Sequence, residues 1–202
     1  EAPSALLASD GVSPTADLPE SDASLLGTLL HSAMEFVHAH GLASPHALDA
    51  YIDKIAKNRC FFGAETVTKQ LSDIKNALKA LATCNTARWL FDSQHLDAHA
   101  EYALWDAHAQ RSLRVDRTFY DKTTSIRWIV DFKSHSYANA QTVNHYQTQL
   151  QNYHTVMQRM HPQDTIRCGL YFPLSRQWFV VDSKAHQTGK TTSQHATACD
   201  AV

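Results

Sequence analysis

Arg114-Val115-Asp116-Arg117 and Ile129-Val130-Asp131-Phe132-Lys133-Ser134 are the two stretches whose reading decides the fold. Residues 112–120 (SLRVDRTFY) alternate, with Leu113, Val115, Arg117 and Phe119 on one side and Arg114, Asp116 and Thr118 on the other. In residues 126–134 (IRWIVDFKS), Trp128, Val130 and Phe132 share one face of a strand, and Ile129, Asp131 and Lys133 share the opposite one. The polar link DKTTS suits a hairpin. Antiparallel pairing then brings Asp116 and Asp131 together, with Lys133 one side chain further along. Two carboxylates and a lysine in an apolar sheet are costly to bury, because unpaired charges resist leaving water. A divalent cation relieves the repulsion, and hard cations such as Mg²⁺ take oxygen ligands. An isolated D-x-K reads more simply as a surface salt bridge from Lys133 to a neighbouring aspartate.

The rest of the chain adds to the pattern. Beside RVDR (114–117) and IVDFKS (129–134) stand GTLLHSAME (27–35), EYAL (101–104) and YQTQLQNY (146–153). In this order the five pieces resemble the PD-(D/E)XK nuclease superfamily. Within it they are most similar to the RecB-like branch, the nuclease domain at the C-terminal end of bacterial helicase-nucleases. The resemblance runs over roughly residues 24–182. It implies an α/β fold: a restriction-endonuclease-like mixed central sheet flanked by helices, with an N-terminal helical layer. It also implies metal-dependent hydrolysis of DNA phosphodiester bonds, as the exodeoxyribonuclease V-like part of a helicase-nuclease acting in double-strand-break repair and recombination.

The roles follow residue by residue. Gly27-Thr28-Leu29-Leu30-His31 is similar to the branch's G-T-x-x-H element, whose histidine is a metal ligand. The implied ligand set is His31, Asp116, Asp131 and the backbone carbonyl of Phe132, around Mg²⁺ or Mn²⁺. Lys133 orients the attacking water or stabilises developing charge. Gln149 and Tyr153 match the Q-x-x-x-Y element beside the metal site. Relatives usually carry Gly three residues before the first aspartate, where this chain has Leu113. Some relatives hold an iron–sulfur cluster on four cysteines, three of them close together. Cys60, Cys84, Cys168 and Cys199 lack that clustering, so no cluster is expected. A catalytically silent nuclease-like fold, serving as a DNA-binding or scaffold module, is the alternative.

With 202 residues, 44 % of them hydrophobic, the chain can build one ordinary domain. Its formal net charge of -2 advertises no global attraction to nucleic acid, so contacts with DNA must come from local basic stripes. Arg111, Arg114, Arg117 and Arg127 lie on or beside the two central strands as candidates for backbone phosphates. No apolar run approaches a membrane span and no secretory signal is visible. A chain beginning at Glu1 reads as processed or excised from something longer, which fits a domain partnered by a helicase motor. Free thiols and a bacterial cytoplasmic setting are expected, with single-stranded DNA as the partner.

Taken in order, residues 1–22 read as a flexible lead-in, 23–182 as the nuclease domain and 183–202 as a flexible tail. A helix is expected over 24–40, stopped by Gly41, with His31 and Glu35 on one face. Residues 44–92 read as helical, with Lys69, Lys75 and Lys79 off the apolar stripe. A first strand is expected over 100–107, with Glu101 at its start. Val143, Tyr146, Leu150, Tyr153, Met157 and Met160 form the stripe of one helix over 141–161. Two further strands follow Pro162. Gly189-Lys190-Thr191 lacks the upstream glycine of a phosphate loop, so no ATP site is expected in this chain.

Overall fold

The computed structural model describes residues 20–42, 45–58, 65–181 and 197–198. Most of the expected lead-in and most of the expected tail lie outside these residues, and residues 20–22, expected in the lead-in, belong to the first helix. Four helices come first: α1 (Glu20–His40), α2 (Pro45–Asn58), α3 (Glu65–Ala80) and α4 (Asn85–Leu90). Gly41 stops α1 in the left-handed region at φ 76, its N–H donating to the Val37 carbonyl at 2.8 Å. Strands β1 (Leu96–Asp106), β2 (Arg111–Asp121) and β3 (Ile126–Phe132) follow, then α5 (Ala140–His145), α6 (Gln147–Met160), β4 (Thr165–Phe172), β5 (Gln177–Val181) and a short β6 (Thr197–Ala198).

The strands form one sheet in the order β1-β2-β3-β4-β5-β6. Among the described strands only β3 and β4 run parallel. A parallel step needs a crossover, and α5 with α6 supplies it across one face of the sheet. There Leu150, Tyr153 and Met157 pack with Val115, Ile129, Leu170 and Phe172. On the opposite face Leu29, Leu30 and Met34 of α1, with Leu78 of α3 and Leu90 of α4, pack with Phe119, Val130, Phe132 and Trp178. The fold is thus a mixed sheet between two helical layers, as expected. Among the described residues no helix is long and apolar enough to cross a membrane.

Three expectations change. The helix expected over 141–161 is broken at Tyr146, whose N–H turns back to the Val143 carbonyl at 3.1 Å between α5 and α6. Simple alternation along β2 also fails. Arg117 lies in the ladder opposite Val130, and Phe119 packs with the α1 layer; Val115, of the same parity, packs with α6. The ribbon of β1 and β2 therefore turns over between Val115 and Arg117. On β1 the matching position is Glu101, a non-glycine residue at φ 49; neither Glu101 nor Asp116 joins the regular ladder. Such a backbone costs on the order of 1 kcal/mol or more and persists only when packing enforces it. Finally, Cys84, expected as a free thiol, is disulfide-bonded, while Cys168 is free and buried. Sequence spacing does not limit which cysteines a fold brings together.

Trp89, Trp128 and Trp178 meet edge to face, with ring centroids 5.3–5.6 Å apart. The Trp178 ring lies so close to Gly169 that a Cβ there would sit 2.0 Å from it. Gly169→Ala is therefore expected to destabilise the domain by roughly 1–3 kcal/mol, the usual cost of overpacking, as read by urea unfolding.

Candidate active site

The site forms where β2 leaves β3. Their ladder ends at Arg117 opposite Val130, although one further step of the same register would place Asp116 opposite Asp131. In place of that backbone pairing, Asp116 Oδ2 accepts the Phe132 N–H at 2.6 Å. The fork is thus bridged by a side chain, and the carboxylate is fixed at its mouth.

From the α1 layer, His31 reaches the same oxygen. Its Nδ1 donates to the Gly27 carbonyl at 2.8 Å, one helical turn back, and its Nε2 lies 3.1 Å from Asp116 Oδ2. The Gly27 bond fixes the tautomer, leaving Nε2 to face the carboxylate. Burial opposes a proton on His31. The hydrogen bond to Asp116 and that carboxylate's field outweigh it, with help from the Gly27 carbonyl and Asp131, and push the imidazole up to about 9. Glu35, predicted on the same helical face, is exposed.

From the α6 layer comes the second half. Lys133 Nζ is 2.6 Å from Asp131 Oδ2. This contact is an ion pair without hydrogen-bond geometry, and Asp131 Oδ2 is buried with no hydrogen-bond partner. Gln149 uses both ends of its amide: Oε1 accepts from Lys133 at 3.2 Å, and Nε2 donates to Asp131 Oδ1 at 3.2 Å and to the Tyr153 hydroxyl at 2.8 Å. Tyr153 is itself buried in the α6 core, and burial pushes its phenol up to about 12. Burial first, and the Asp116 carboxylate second, push the Asp131 carboxyl up to about 6 against the pull of Lys133. All seven residues singled out in the sequence thus lie around one fork, and the lysine pair is internal rather than a surface salt bridge.

The sequence treats Tyr146 only as a stripe residue. Its ring lies under Lys133, with Nζ 4.0 Å from the ring centroid. The signal was present, since Tyr146 stands three residues before Gln149, but only the helix break aims the ring at the lysine. Of the four arginines proposed for phosphates, two are engaged inside the fold. Arg117 is buried, donating to the Leu90 carbonyl and to His38, and Arg127 pairs with Asp97 and Asp164. Lys75 and Lys79 pair with Asp53 and Asp49 of α2.

The donor set fits a hard divalent cation: two carboxylates that repel each other, an imidazole nitrogen of fixed tautomer, and one buried oxygen with no hydrogen bond. Among the described residues no three His, Cys, Asp or Glu side chains stand placed to hold a metal ion, because Asp116 is drawn to His31 and Asp131 to Lys133. Holding an ion means exchanging those contacts for it.

The linkage signs are the same for both groups. Asp131 binds its proton more tightly folded (about 6, against 3.8), and so does His31 (about 9, against 6.5). Each contributes stability below its unfolded value and loses it as pH rises through its folded value. The melting temperature of the chain in EDTA is expected to fall between about pH 4 and 6, and again between about pH 6.5 and 9. Asp131→Asn should lack the first fall and melt roughly 2–4 °C above the native chain at neutral pH. Mn²⁺ should raise the native melting temperature, more at pH 8 than at pH 6 (both values approximate), and should leave Asp131→Asn unmoved.

No curated protein matches the chain. Comparison with known protein families matches residues 6–200 to the PD-(D/E)XK nuclease superfamily. With the match covering nearly the whole length and the fold being the one that superfamily implies, the chain belongs to the PD-(D/E)XK nuclease superfamily.

Proposed function

We propose that this chain is a divalent-metal-dependent deoxyribonuclease of the RecB-like kind, the exonuclease part of a helicase-nuclease that works on single-stranded DNA during double-strand-break repair and recombination. The observation that carries the chemistry is Asp131 Oδ2: buried, without a hydrogen bond, 2.6 Å from Lys133 Nζ and repelled by Asp116. The RecB-like assignment is supported by His31, which the G-T-x-x-H stretch delivers to Asp116 from a different layer. Superfamily membership supports nuclease chemistry, and the helicase partner rests on the five sequence pieces alone.

His31 Nε2, Asp116, Asp131 and the Phe132 carbonyl are the groups that would hold Mg²⁺ or Mn²⁺. When bound there, such an ion eases ionisation of water and polarises a phosphoryl oxygen. Lys133, paired with the buried Asp131, is the ammonium that can orient the attacking water or neutralise charge on the phosphoryl oxygens. Gln149 keeps Lys133 and Asp131 in register, and Tyr153 keeps Gln149 from turning. Tyr146 holds Lys133 from below through its ring face.

Incubation with labelled single- and double-stranded DNA, with Mg²⁺, Mn²⁺ or EDTA, tests the proposal. Cleavage is expected with either ion and not in EDTA; Asp131→Ala should abolish it and Lys133→Ala should slow it by about 10²-fold or more. Persistence of cutting in EDTA or in Asp131→Ala would sink the mechanism. Tight binding of DNA with no cleavage under any condition would favour the silent scaffold module. Tyr146→Phe should keep near-native turnover because it keeps the ring, whereas Tyr146→Leu should lower kcat with little change in KM.

A further inference from the structure

Beyond the turn-over at Glu101 and Asp116, β1 and β2 continue as a two-stranded arm. Tyr102, Leu104, Leu113 and Val115 cover its α6 side. The register sets Ala103 opposite Arg114 and Trp105 opposite Ser112, so these four share the other side, away from α6. All four are exposed. Trp105 is 57 % exposed, one of four large apolar side chains left open among the described residues. The Arg114 side chain is 69 % exposed, and among the described residues it is tied down only through Nη1, to Glu101 at 3.2 Å. Small neighbours, Ala103 and Ser112, leave the indole face clear.

We propose that this side of the arm is a platform for an unpaired strand, Trp105 stacking one base while Arg114 holds a phosphate between that base and the site. The proposal rests on the nuclease reading for its ligand. Two features select nucleic acid: an aromatic face beside an exposed guanidinium, and continuity with Asp116, two residues along β2 from Arg114. Trp105 lies opposite Ser112, four residues from Asp116, or about 13 Å along the strand. That puts the stacked base a short way along the chain from the reacting phosphate. Stacking on a single ring needs a base with an open face, which the interior of a duplex does not offer and a single strand does. Stacking on a ring and holding a phosphate read no base edge, so the platform is tolerant of sequence.

The test is binding of an oligothymidylate of about 16 nucleotides and of a blunt duplex of similar length, in EDTA so that nothing is cut. Trp89, Trp128 and Trp178 pack against one another, leaving Trp105 as the exposed indole. Oligothymidylate should quench the native emission, and Trp105→Phe should lose that quenching while retaining most of the affinity. Trp105→Ala should bind oligothymidylate about tenfold more weakly, with little change for the duplex. Arg114→Ala should weaken binding and lower the slope of log affinity against log salt by about one. Native affinity in Trp105→Ala, or an equal loss on strand and duplex, overturns the platform. A chain that stacks thymine through Trp105 but cleaves nothing with Mg²⁺ or Mn²⁺ loses the nuclease reading and keeps the platform. One that cleaves while Trp105→Ala binds as the native chain does loses the platform alone.

Discussion

Two carboxylates that repel one another stand at the mouth of a forked sheet, and much of the domain serves to hold them there. Asp116 and Asp131 sit where the β2–β3 ladder stops, and left alone they would spread apart or take up protons. Three constraints prevent the first. The Phe132 N–H, freed from the ladder, clamps Asp116; Gln149 grips Asp131; and the outer ribbon turns over at Glu101 and Asp116, where β2 has already left β3. The second outcome is only partly resisted, as the raised Asp131 carboxyl shows. Strain and repulsion of this kind are uneconomical for folding alone, and their concentration at one point supports the proposed site.

Each helical layer attends to one cation of this arrangement. The α1 layer brings His31 to Asp116, and the α6 layer frames Lys133 with Gln149 and the Tyr146 ring. The sheet thus supplies the acids and, one residue past β3, Lys133; the layers supply His31 and Gln149 from opposite faces. Neither layer alone neutralises the site, so correct packing of both is a condition for a competent fork. The parallel β3–β4 step is what obliges the chain to cross back over the sheet, and that crossing is how Gln149 arrives beside Asp131.

Much of this was legible in the sequence. The alternation around Val115 and Val130 marked the hairpin, the 3–4 spacing from Leu150 to Met157 marked the second helix, and the order of five short pieces marked the superfamily. What was not legible has physical causes. Period-2 alternation reports parity, not which layer a given parity faces, so the turn-over between Val115 and Arg117 left no trace. The apolar stripe runs through Tyr146 without interruption, and a helix break that keeps the stripe in phase is invisible to periodicity. Arginine looks the same in a sequence whether it greets a phosphate or, like Arg117 and Arg127, is engaged inside the fold. Glu101, expected at the start of the first strand, lies instead in the middle of β1, and no preference of glutamate announces its positive φ.

The contact between Arg117 and His38 has a consequence for how α1 is seated. His38 accepts the guanidinium's proton through Nδ1 and so must be neutral; burial, followed by the charge of Arg117, holds its pKa below the usual imidazole range. A base whose folded pKa is depressed contributes stability above its unfolded value and loses it as the pH falls below that value. His31, two turns earlier on the same helix, does the reverse, loosening as the medium becomes alkaline. One helix is thereby latched by two imidazoles of opposite acid–base temperament: acid frees the latch near its C-terminal end, alkali the one at its middle, and both are shut together from below the usual imidazole range up to about pH 9.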